Sequence, residues 1–204
     1  MTTLNILEAC QLSCVRDDRL LFHDLTFTLC SGQVLLIEGA NGAGKTSLLR
    51  ILTGLRRAES GDLCWNATPI EHSELFYRDT AYIGHNNGLK LALTAQENLR
   101  YAQALSSATL HIDEAMAKVG LTGYQETRVR LLSAGQQRRL ALARLLCTDK
   151  PLWILDEPFT SLDRASIELF ESFIETHATQ GGLVIMTSHH ETRLPHTLMQ
   201  KIHL

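Results

Sequence analysis

The stretch that decides the fold is a glycine-rich loop, Gly39-Ala40-Asn41-Gly42-Ala43-Gly44-Lys45-Thr46. It matches the phosphate-binding pattern Gly-x-x-x-x-Gly-Lys-Ser/Thr at every fixed position. Backbone N–H groups that wrap a polyphosphate need glycines, because glycine accepts positive φ without steric cost. Lys45 supplies a compact positive charge for the β- and γ-phosphates, and the Thr46 hydroxyl is suited to bind Mg²⁺. We therefore predict that this loop and the following Ser47 bind the phosphates of ATP.

The segments around this loop predict an α/β fold. Residues 34–37 are predicted to form a buried strand that enters the loop, and residues 45–54 an amphipathic helix that leaves it. Residues 152–155 and 183–186 are two further apolar runs typical of buried strands. Strands that alternate with helices favour a mainly parallel sheet. The predicted fold class is therefore an α/β core of the P-loop NTPase type.

A helical segment interrupts this predicted core. The chain from about residue 86 to residue 148 has mainly helical patterns, whereas the segments on either side carry the predicted strands. The helical candidates span residues 94–105, 113–119 and 133–147. We expect a single domain over residues 1–204, with a core of about 1–85 and 149–204 and an inserted helical subdomain of about 86–148.

Composition excludes several classes of protein. Of 204 residues, 45% are hydrophobic and 20% are charged, which is ordinary for a globular chain and unlike a disordered one. The 19 basic and 22 acidic residues give a net charge of −3, so we expect no nucleic-acid partner. No apolar stretch is long enough for a membrane span, and the first residues lack a signal-peptide pattern. The five cysteines lack metal-ligand spacing and are interpreted as reduced thiols.

A pair of acidic residues follows the predicted strand at residues 152–155. Asp156 and Glu157 come directly after this apolar run. In open α/β sheets, ligands bind at the carboxyl ends of strands, so Asp156 is a candidate Mg²⁺ ligand. Glu157 is the candidate catalytic base that orients or deprotonates the attacking water. The alternative is two exposed acids at a strand end, which the phosphate-binding loop disfavours.

The segment Leu132-Ser133-Ala134-Gly135-Gln136 resembles the signature motif of the ATP-binding cassette (ABC) ATPases. The usual form in this family is Leu-Ser-Gly-Gly-Gln, and here Ala134 replaces the first glycine. Ser133 is placed to cap a helix, and the small Gly135 lets a phosphate approach the helix N-terminus. The resemblance implies that this phosphate belongs to ATP held by a second copy of the chain. It also implies the ABC-type fold, with an N-terminal antiparallel β-subdomain and an inserted helical subdomain beside the core sheet.

Other segments match the same family one by one. The run Ser161-Leu162-Asp163 is similar to the D-loop that follows the catalytic glutamate. His189, just beyond the apolar run at 183–186, resembles the switch histidine near the γ-phosphate and is expected to be catalytic. Ordinary packing is the alternative for a histidine in this place, and His190 is a neighbour that could be confused with it.

Two positions depart from the usual residues of the family. Where the family carries glutamine between a core strand and the helical subdomain, this chain has His85. The resemblance makes His85 a candidate metal ligand, although imidazole titrates at about pH 6.5. Where the family stacks an aromatic ring on adenine, this chain has Arg16, whose guanidinium plane can also stack on a base. The alternative for Arg16 is a solvated turn beside Asp17 and Asp18.

One subfamily matches over several stretches. Similarity to the ATPase subunits of the haem exporter in cytochrome c maturation is carried by residues 14–22, 38–46, 82–85, 132–139 and 153–160. The resemblance implies a peripheral subunit on the cytoplasmic face of the bacterial inner membrane, bound to the membrane subunits CcmB, CcmC and CcmD. Its ATP hydrolysis would power haem export or release of the haem-loaded chaperone CcmE. The alternatives are another small-molecule exporter, a soluble non-transport ABC ATPase and a non-catalytic nucleotide-binding partner.

Overall fold

The computed structural model describes residues 4–106, 110–188 and 191–204. Its strands are β1 (Ile6–Arg16), β2 (Arg19–Cys30), β3 (Val34–Glu38), β4 (Ser60–Trp65), β5 (Thr68–Pro69), β6 (Thr80–Ile83), β7 (Leu152–Leu155), β8 (Leu183–Thr187) and β9 (Met199–His203). Its helices are α1 (Lys45–Leu52), α2 (Glu74–Asp79), α3 (Ala95–Gln103), α4 (Ile112–Lys118), α5 (Ala134–Leu146) and α6 (Arg164–Thr179).

Two sheets carry the fold. The strands β6-β7-β8-β3-β9 form a five-stranded sheet in which every pair is parallel. The strands β2-β1-β4-β5 form a four-stranded antiparallel sheet. The chain between β6 and β7 contributes α3, α4 and α5. The predicted α/β fold, with a parallel core sheet, an antiparallel sheet near the N-terminus and inserted helices, is confirmed.

The central strands of the parallel sheet are buried on both faces. Along β3, Leu35 and Ile37 pack in a hydrophobic cluster with α1 and the antiparallel sheet, whereas Leu36 packs in a cluster with α5 and α6. Because side chains along a strand alternate between faces, one strand contributes to both clusters. This two-sided burial explains why β3, β7 and β8 are uninterrupted apolar runs. Their carboxyl ends reach the same edge of the sheet.

The β1–β2 hairpin is the part of the fold that residue patterns alone do not reveal. Asp17 and Asp18 form its turn with φ values of 50° and 59°, the left-handed conformation that suits a two-residue hairpin turn. Register shifts interrupt the pairing of β1 with β2, so buried and polar residues do not alternate regularly along it. Regular alternation is the main sequence signal for a strand, and here it is broken.

The three helices between β6 and β7 begin and end close to their predicted positions. The ends of α3, α4 and α5 differ from the expected ranges by one or two residues. A capping box opens α3, in which the Thr94 hydroxyl accepts from the Glu97 N–H and the Glu97 carboxylate accepts from the Thr94 N–H. Buried residues of the three helices share one hydrophobic cluster with the parallel sheet. The division into core and helical subdomain stays a prediction.

Membrane-spanning helices were not expected from the sequence. Within residues 4–106, 110–188 and 191–204, no helix is long and apolar enough to cross a membrane.

All five cysteines are free thiols, of which Cys14 and Cys147 are buried. Burial raises the pKa of the Cys147 thiol to about 11, so this thiol stays protonated and packs as a small apolar side chain.

A histidine lies against the parallel sheet near the end of α6. The His177 ring stacks on Trp153 of β7, with 3.8 Å between ring centroids and an interplanar angle of 7°. Its Nε2 atom lies 3.1 Å from the carbonyl oxygen of Pro151, which fits the neutral tautomer that donates from Nε2. Burial lowers the pKa of His177 from 6.5 to about 4, because the charged ring would lose its hydration.

Stability is therefore expected to fall in mildly acidic solution. Between pH 6.5 and about pH 4, the unfolded chain binds a proton at His177 that the folded chain does not. The contribution of His177 to the free energy of unfolding is fully present above the unfolded pKa and falls by about 3 kcal/mol as the pH drops to the folded pKa. Urea unfolding of the parent chain and of His177→Phe, at about pH 7 and about pH 4.5, measures this loss.

The variant should lose less stability on acidification than the parent chain. His72→Phe is the matched control, because His72 is exposed and the same substitution there should leave the pH dependence unchanged. Equal pH dependence of the parent and both variants would contradict the pKa assigned to His177.

Candidate nucleotide-binding site

An open cleft of about 450 Å³ lies over the glycine-rich loop. Its lining residues are Arg16, Asp17, Arg19, Leu21, Asn41, Gly42, Gly44, Lys45, Thr46, Ser47 and Glu157. The lining thus combines most of the predicted phosphate-binding residues with the predicted base and with the turn between β1 and β2. Gly39, Ala40 and Ala43 belong to the loop but not to the lining.

The loop joins β3 to α1, and Gly44 determines its shape. Gly44 stands at the N-cap of α1 with a φ of 109°, a conformation that a side chain would strain. A Cβ atom at this position would also lie 3.1 Å from the Cβ atom of Leu21 in β2, which is closer than ordinary packing allows. As Gly44 has no side chain to cap α1, the first N–H groups and the positive dipole end of the helix are open to a phosphate.

Lys45 lies at the floor of the cleft, with only 7% of its surface exposed. Its ammonium group donates to the carbonyl oxygens of Gly39 at 2.6 Å and of Ala40 at 3.1 Å. These bonds restrict a side chain that is otherwise flexible. A phosphate in the cleft would meet this fixed charge together with the N-terminus of α1.

The carboxylate of Asp156, which directly follows β7, forms hydrogen bonds with α1 and with β8. Asp156 is 2% exposed and accepts hydrogen bonds from the Thr46 hydroxyl at 3.1 Å and from the Thr187 hydroxyl at 3.0 Å. Its backbone N–H donates to the carbonyl oxygen of Ile83 in β6 at 2.8 Å. These bonds offset the cost of burying a carboxylate. Hydroxyl and carboxylate oxygens are ligands that Mg²⁺ prefers, so Thr46 and Asp156 fit a magnesium ion beside the loop.

The backbone of Glu157 is strained. Its φ of 47° lies in the left-handed region, which costs a non-glycine residue about 1–3 kcal/mol. The Glu157 N–H donates to the Thr187 hydroxyl at 2.8 Å, and the Thr160 hydroxyl donates to the Glu157 carboxylate at 3.4 Å. Strain of this kind persists only where neighbouring contacts hold it. Here it accompanies a carboxylate that lines the cleft.

Ser133 caps α5, as its place in the sequence predicts. Its hydroxyl accepts from the Gln136 N–H at 3.2 Å, and its own N–H donates to the Gln136 side chain at 2.9 Å. Ser133 and Ala134 are exposed, whereas Leu132 is buried. The signature segment, residues 132–136, contributes none of the described residues that line the cleft.

The D-loop segment, residues 161–163, packs against the signature segment of the same chain. A Cβ atom at Gly135 would lie 2.9 Å from the carbonyl oxygen of Ser161, so this approach requires glycine. Asp163 caps α6 by accepting from the Ser166 N–H at 2.8 Å, and hydrogen bonds from Ser166 lower the pKa of the Asp163 carboxyl. Gly135 and Asp163 therefore each have a structural role besides the one that the family resemblance implies.

Of the remaining predicted site residues Arg16, His85 and His189, only Arg16 is among the described residues that line the cleft. Arg16 lines the cleft, remains exposed and pairs with Asp17 at 3.3 Å. His85 is exposed in the loop after β6, and it is not among the described residues that line the cleft. His189 and its neighbour His190 lie outside the described residues. Adenine stacking by Arg16, metal contact by His85 and catalysis by His189 stay predictions.

Sequence reasoning missed several contributors to the cleft and its surroundings, among them Asp17, Leu21, Arg19 and Thr187. Thr187 contacts both Asp156 and Glu157, and a signal for it exists, because β8 pairs in parallel with β7 and both strands end at this edge. Arg19 lines the cleft and pairs in register with Arg16 across the hairpin turn. Finding Arg19 required the hairpin, which the residue pattern did not predict.

Solved structures share this fold. A putative ABC transporter ATP-binding protein from Pyrococcus furiosus superposes with a TM-score of 0.82 at 21% identity, over 96% of each chain. A structure described as the ATP-binding subunit of an ABC transporter gives a TM-score of 0.80 at 25% identity, over 90% of this chain and 80% of that one. The chain therefore has the fold of ATP-binding subunits of ABC transporters.

Sequence comparison narrows this class. Residues 22–160 match the family model for ABC transporter. Proteins named cytochrome c biogenesis ATP-binding export protein CcmA are similar to the chain, including one from Vibrio cholerae (45% identical over 203 residues, covering 98% of each chain). Another is from Escherichia coli (44% identical over 202 residues, covering 98% of this chain and 97% of that one). The chain belongs to the ABC transporter family, and within it to these CcmA cytochrome c biogenesis ATP-binding export proteins.

Proposed function

We propose that this chain hydrolyses ATP as the energising subunit of a transporter that acts in cytochrome c biogenesis. The observation that carries the proposal is the 3.1 Å contact between the Thr46 hydroxyl and the Asp156 carboxylate, with Glu157 next in the chain and lining the cleft. A polyphosphate loop, oxygen ligands for Mg²⁺ and an adjacent carboxylate are the parts that ATP hydrolysis needs. The names of the CcmA relatives support the cellular process.

Four residues are proposed to carry the reaction. Lys45 and the N-terminus of α1 place positive charge at the β- and γ-phosphates, where negative charge develops as the bond breaks. Thr46 and Asp156 would hold Mg²⁺, whose positive charge would offset the negative charge of the phosphates. Glu157 accepts a proton from the attacking water as the water oxygen bonds to the γ-phosphorus, and the bridging oxygen leaves with ADP.

A second copy of the chain is proposed to complete each site. Ser133 stands at the exposed N-terminus of α5, away from the cleft of its own chain. Because helix N-termini attract phosphate, the signature segment would contact the γ-phosphate of ATP bound by the other copy. The D-loop segment lies against Gly135 and would reach the same boundary. Contacts of His189 with the γ-phosphate and of His85 with the metal rest on the family resemblance.

Arg16 is proposed to lie on the adenine of ATP. It lines the cleft beside the phosphate-binding loop, and its side chain remains 61% exposed despite the ion pair with Asp17. A guanidinium plane in this position can stack on a purine. Arg19 lines the same side of the cleft and adds positive charge there.

Membrane subunits are proposed to dock beside the helical segment. Two loops, residues 91–95 and 127–130, are joined by backbone hydrogen bonds, one of which runs from Arg130 N–H to Leu91 O at 3.2 Å. Leu91 and Leu131 are 53% and 71% exposed at this junction. Exposed leucines on two segments that are hydrogen-bonded to each other suit a protein-binding surface. Partners resembling CcmB, CcmC and CcmD would hold the chain at the cytoplasmic face of the bacterial inner membrane. In that complex, ATP hydrolysis would power haem export or the release of haem-loaded CcmE.

Two substitutions separate ATP binding from ATP hydrolysis. Lys45→Ala removes the charge that faces the phosphates, so ATP affinity should fall by about tenfold or more. Glu157→Gln preserves shape but removes the proton acceptor, so ATP should bind within about threefold of the parent affinity while hydrolysis falls about 100-fold. Isothermal titration calorimetry and phosphate release measure the two quantities.

Glu175→Gln is the matched control for this pair, because Glu175 is exposed on α6 and should affect neither quantity. Parent-rate hydrolysis by Glu157→Gln would show that Glu157 is not the base. Unchanged ATP affinity of Lys45→Ala would contradict the role of the loop.

Affinity capture of the tagged chain from its native membranes in mild detergent identifies the partners. We expect membrane subunits of cytochrome c maturation to be recovered. Leu91→Asp and Leu131→Asp should each reduce this recovery severalfold, because they place a charge within an apolar contact. Leu55→Asp is the control, since Leu55 is 67% exposed after α1 and outside the proposed surface. Recovery of a different pair of membrane proteins would contradict the role in cytochrome c maturation but not the role in transport. Recovery of no membrane protein would contradict the transporter role.

A further inference from the structure

Arg138 is buried one turn into α5, with 3% of its surface exposed. It forms five hydrogen bonds, as many as a guanidinium group has N–H donors. Their acceptors are the carbonyl oxygens of Asp156 (2.8 Å), Glu157 (2.7 Å), Pro158 (2.9 Å) and Gly84 (3.1 Å) and the side-chain oxygen of Asn87 (2.9 Å). All of these acceptors follow β6 or β7, and none belongs to α5 itself.

We propose that Arg138 is a positioning residue that fixes the backbone of Glu157 and so sets where the Glu157 carboxylate lies in the cleft. The proposal rests on the proposed role of Glu157 as the base. Arg138 would not touch ATP, Mg²⁺ or the attacking water. It would act through the turn that follows β7.

The turn after β7 shows why such a residue is needed. Glu157 has a positive φ of 47°, and a backbone in this region relaxes unless it is held from outside. The Thr187 hydroxyl holds Glu157 from the N–H side, and the Arg138 guanidinium holds it from the carbonyl side. Without Arg138, the carbonyl oxygens of Asp156, Glu157 and Pro158 would each lose a hydrogen bond. The Glu157 carbonyl oxygen would keep the 3.2 Å bond from the Thr160 N–H within the same turn.

Charge and shape both favour arginine at this position. Burial lowers the pKa of Arg138, and the neighbouring carboxylates of Asp156 and Glu157 oppose that effect. Arginine remains protonated in proteins, so the Arg138 guanidinium places a positive charge near the carboxylates of Asp156 and Glu157. A planar fork can bond several carbonyls in fixed directions, whereas lysine offers a single point charge and glutamine offers neither the charge nor the reach.

The same guanidinium also reaches the loop after β6. Its bonds to Gly84 and Asn87 lie on either side of His85 in the sequence. Because α5 begins at the signature segment, one side chain connects that helix, the turn of the proposed base and the loop of His85. A displacement of α5 therefore has to move or break the contacts that hold Glu157.

Arg138→Gln and Arg138→Lys test this role. We expect kcat for ATP hydrolysis to fall about 30-fold or more in Arg138→Gln, because the base is no longer held. ATP affinity should stay within about threefold of the parent value, since Arg138 contacts no residue of the glycine-rich loop. Arg138→Lys keeps the charge but not the fork, so it should show a loss of about tenfold.

Arg139→Gln is the matched control. Arg139 is the next residue of α5, and its hydrogen bonds go to the carbonyl oxygens of Val119 and Gly120 within the helical segment and not to the turn after β7. The same chemical change there should leave kcat within about twofold of the parent value. Arg138→Gln introduced into the Glu157→Gln chain should cause no further fall in hydrolysis, because a residue that acts through Glu157 has no effect once the carboxylate is gone.

Two results would overturn the proposal. One is a parent-like kcat for Arg138→Gln, and the other is the same fold-loss from Arg138→Gln in the Glu157→Gln chain as in the parent chain. Should thermal unfolding show that Arg138→Gln does not fold, Arg138→Lys takes its place in both comparisons, and an unchanged kcat for Arg138→Lys overturns the proposal. Parent-rate hydrolysis by Glu157→Gln would refute the proposed role of Glu157 as the base, on which this inference rests, whereas an inactive Glu157→Gln beside a fully active Arg138→Gln would refute only this inference.

Discussion

The rest of the site depends on the position of one buried carboxylate, that of Asp156. It accepts from Thr46 at the start of α1 and from Thr187 at the end of β8, while its backbone bonds to β6. A carboxylate oxygen left without a partner at 2% exposure would cost about 1–3 kcal/mol or more, so the segments that supply its partners are held in register. The glycine-rich loop and the turn of Glu157 therefore keep a fixed relation to each other.

The phosphate-binding loop and the carboxylates differ from the signature segment in their burial. Lys45, Asp156 and Thr187 are buried among core strands, whereas Ser133 stands exposed at the start of a helix, outside the cleft. Under the proposed function, such a chain would bind the phosphates beside the carboxylates of its own cleft and would present the signature segment to a second copy. That arrangement suits a site shared between two copies. Arg138 is the link between the two features, because it extends from the signature helix to the turn of Glu157.

Much of this could be predicted from the sequence where local signals were strong. The runs that became β3, β7 and β8 are continuous and apolar because both faces of these strands are buried, and the glycine-rich loop has a specific pattern. The β1–β2 hairpin could not be found this way, since register shifts break its alternation. The roles of Thr187 and Arg138 arise from contacts between segments distant in the chain, and no local pattern encodes them.

In the proposed function, one chain carries half of each ATP site and two copies close over two ATP molecules. The most direct test is the molar mass of the Glu157→Gln chain in solution, measured by light scattering with saturating Mg²⁺–ATP and again with ADP. We expect twice the mass of one chain with ATP and the mass of one chain with ADP. A chain that is saturated with ATP, as shown by calorimetry in the same buffer, and still has the mass of a single copy would contradict it.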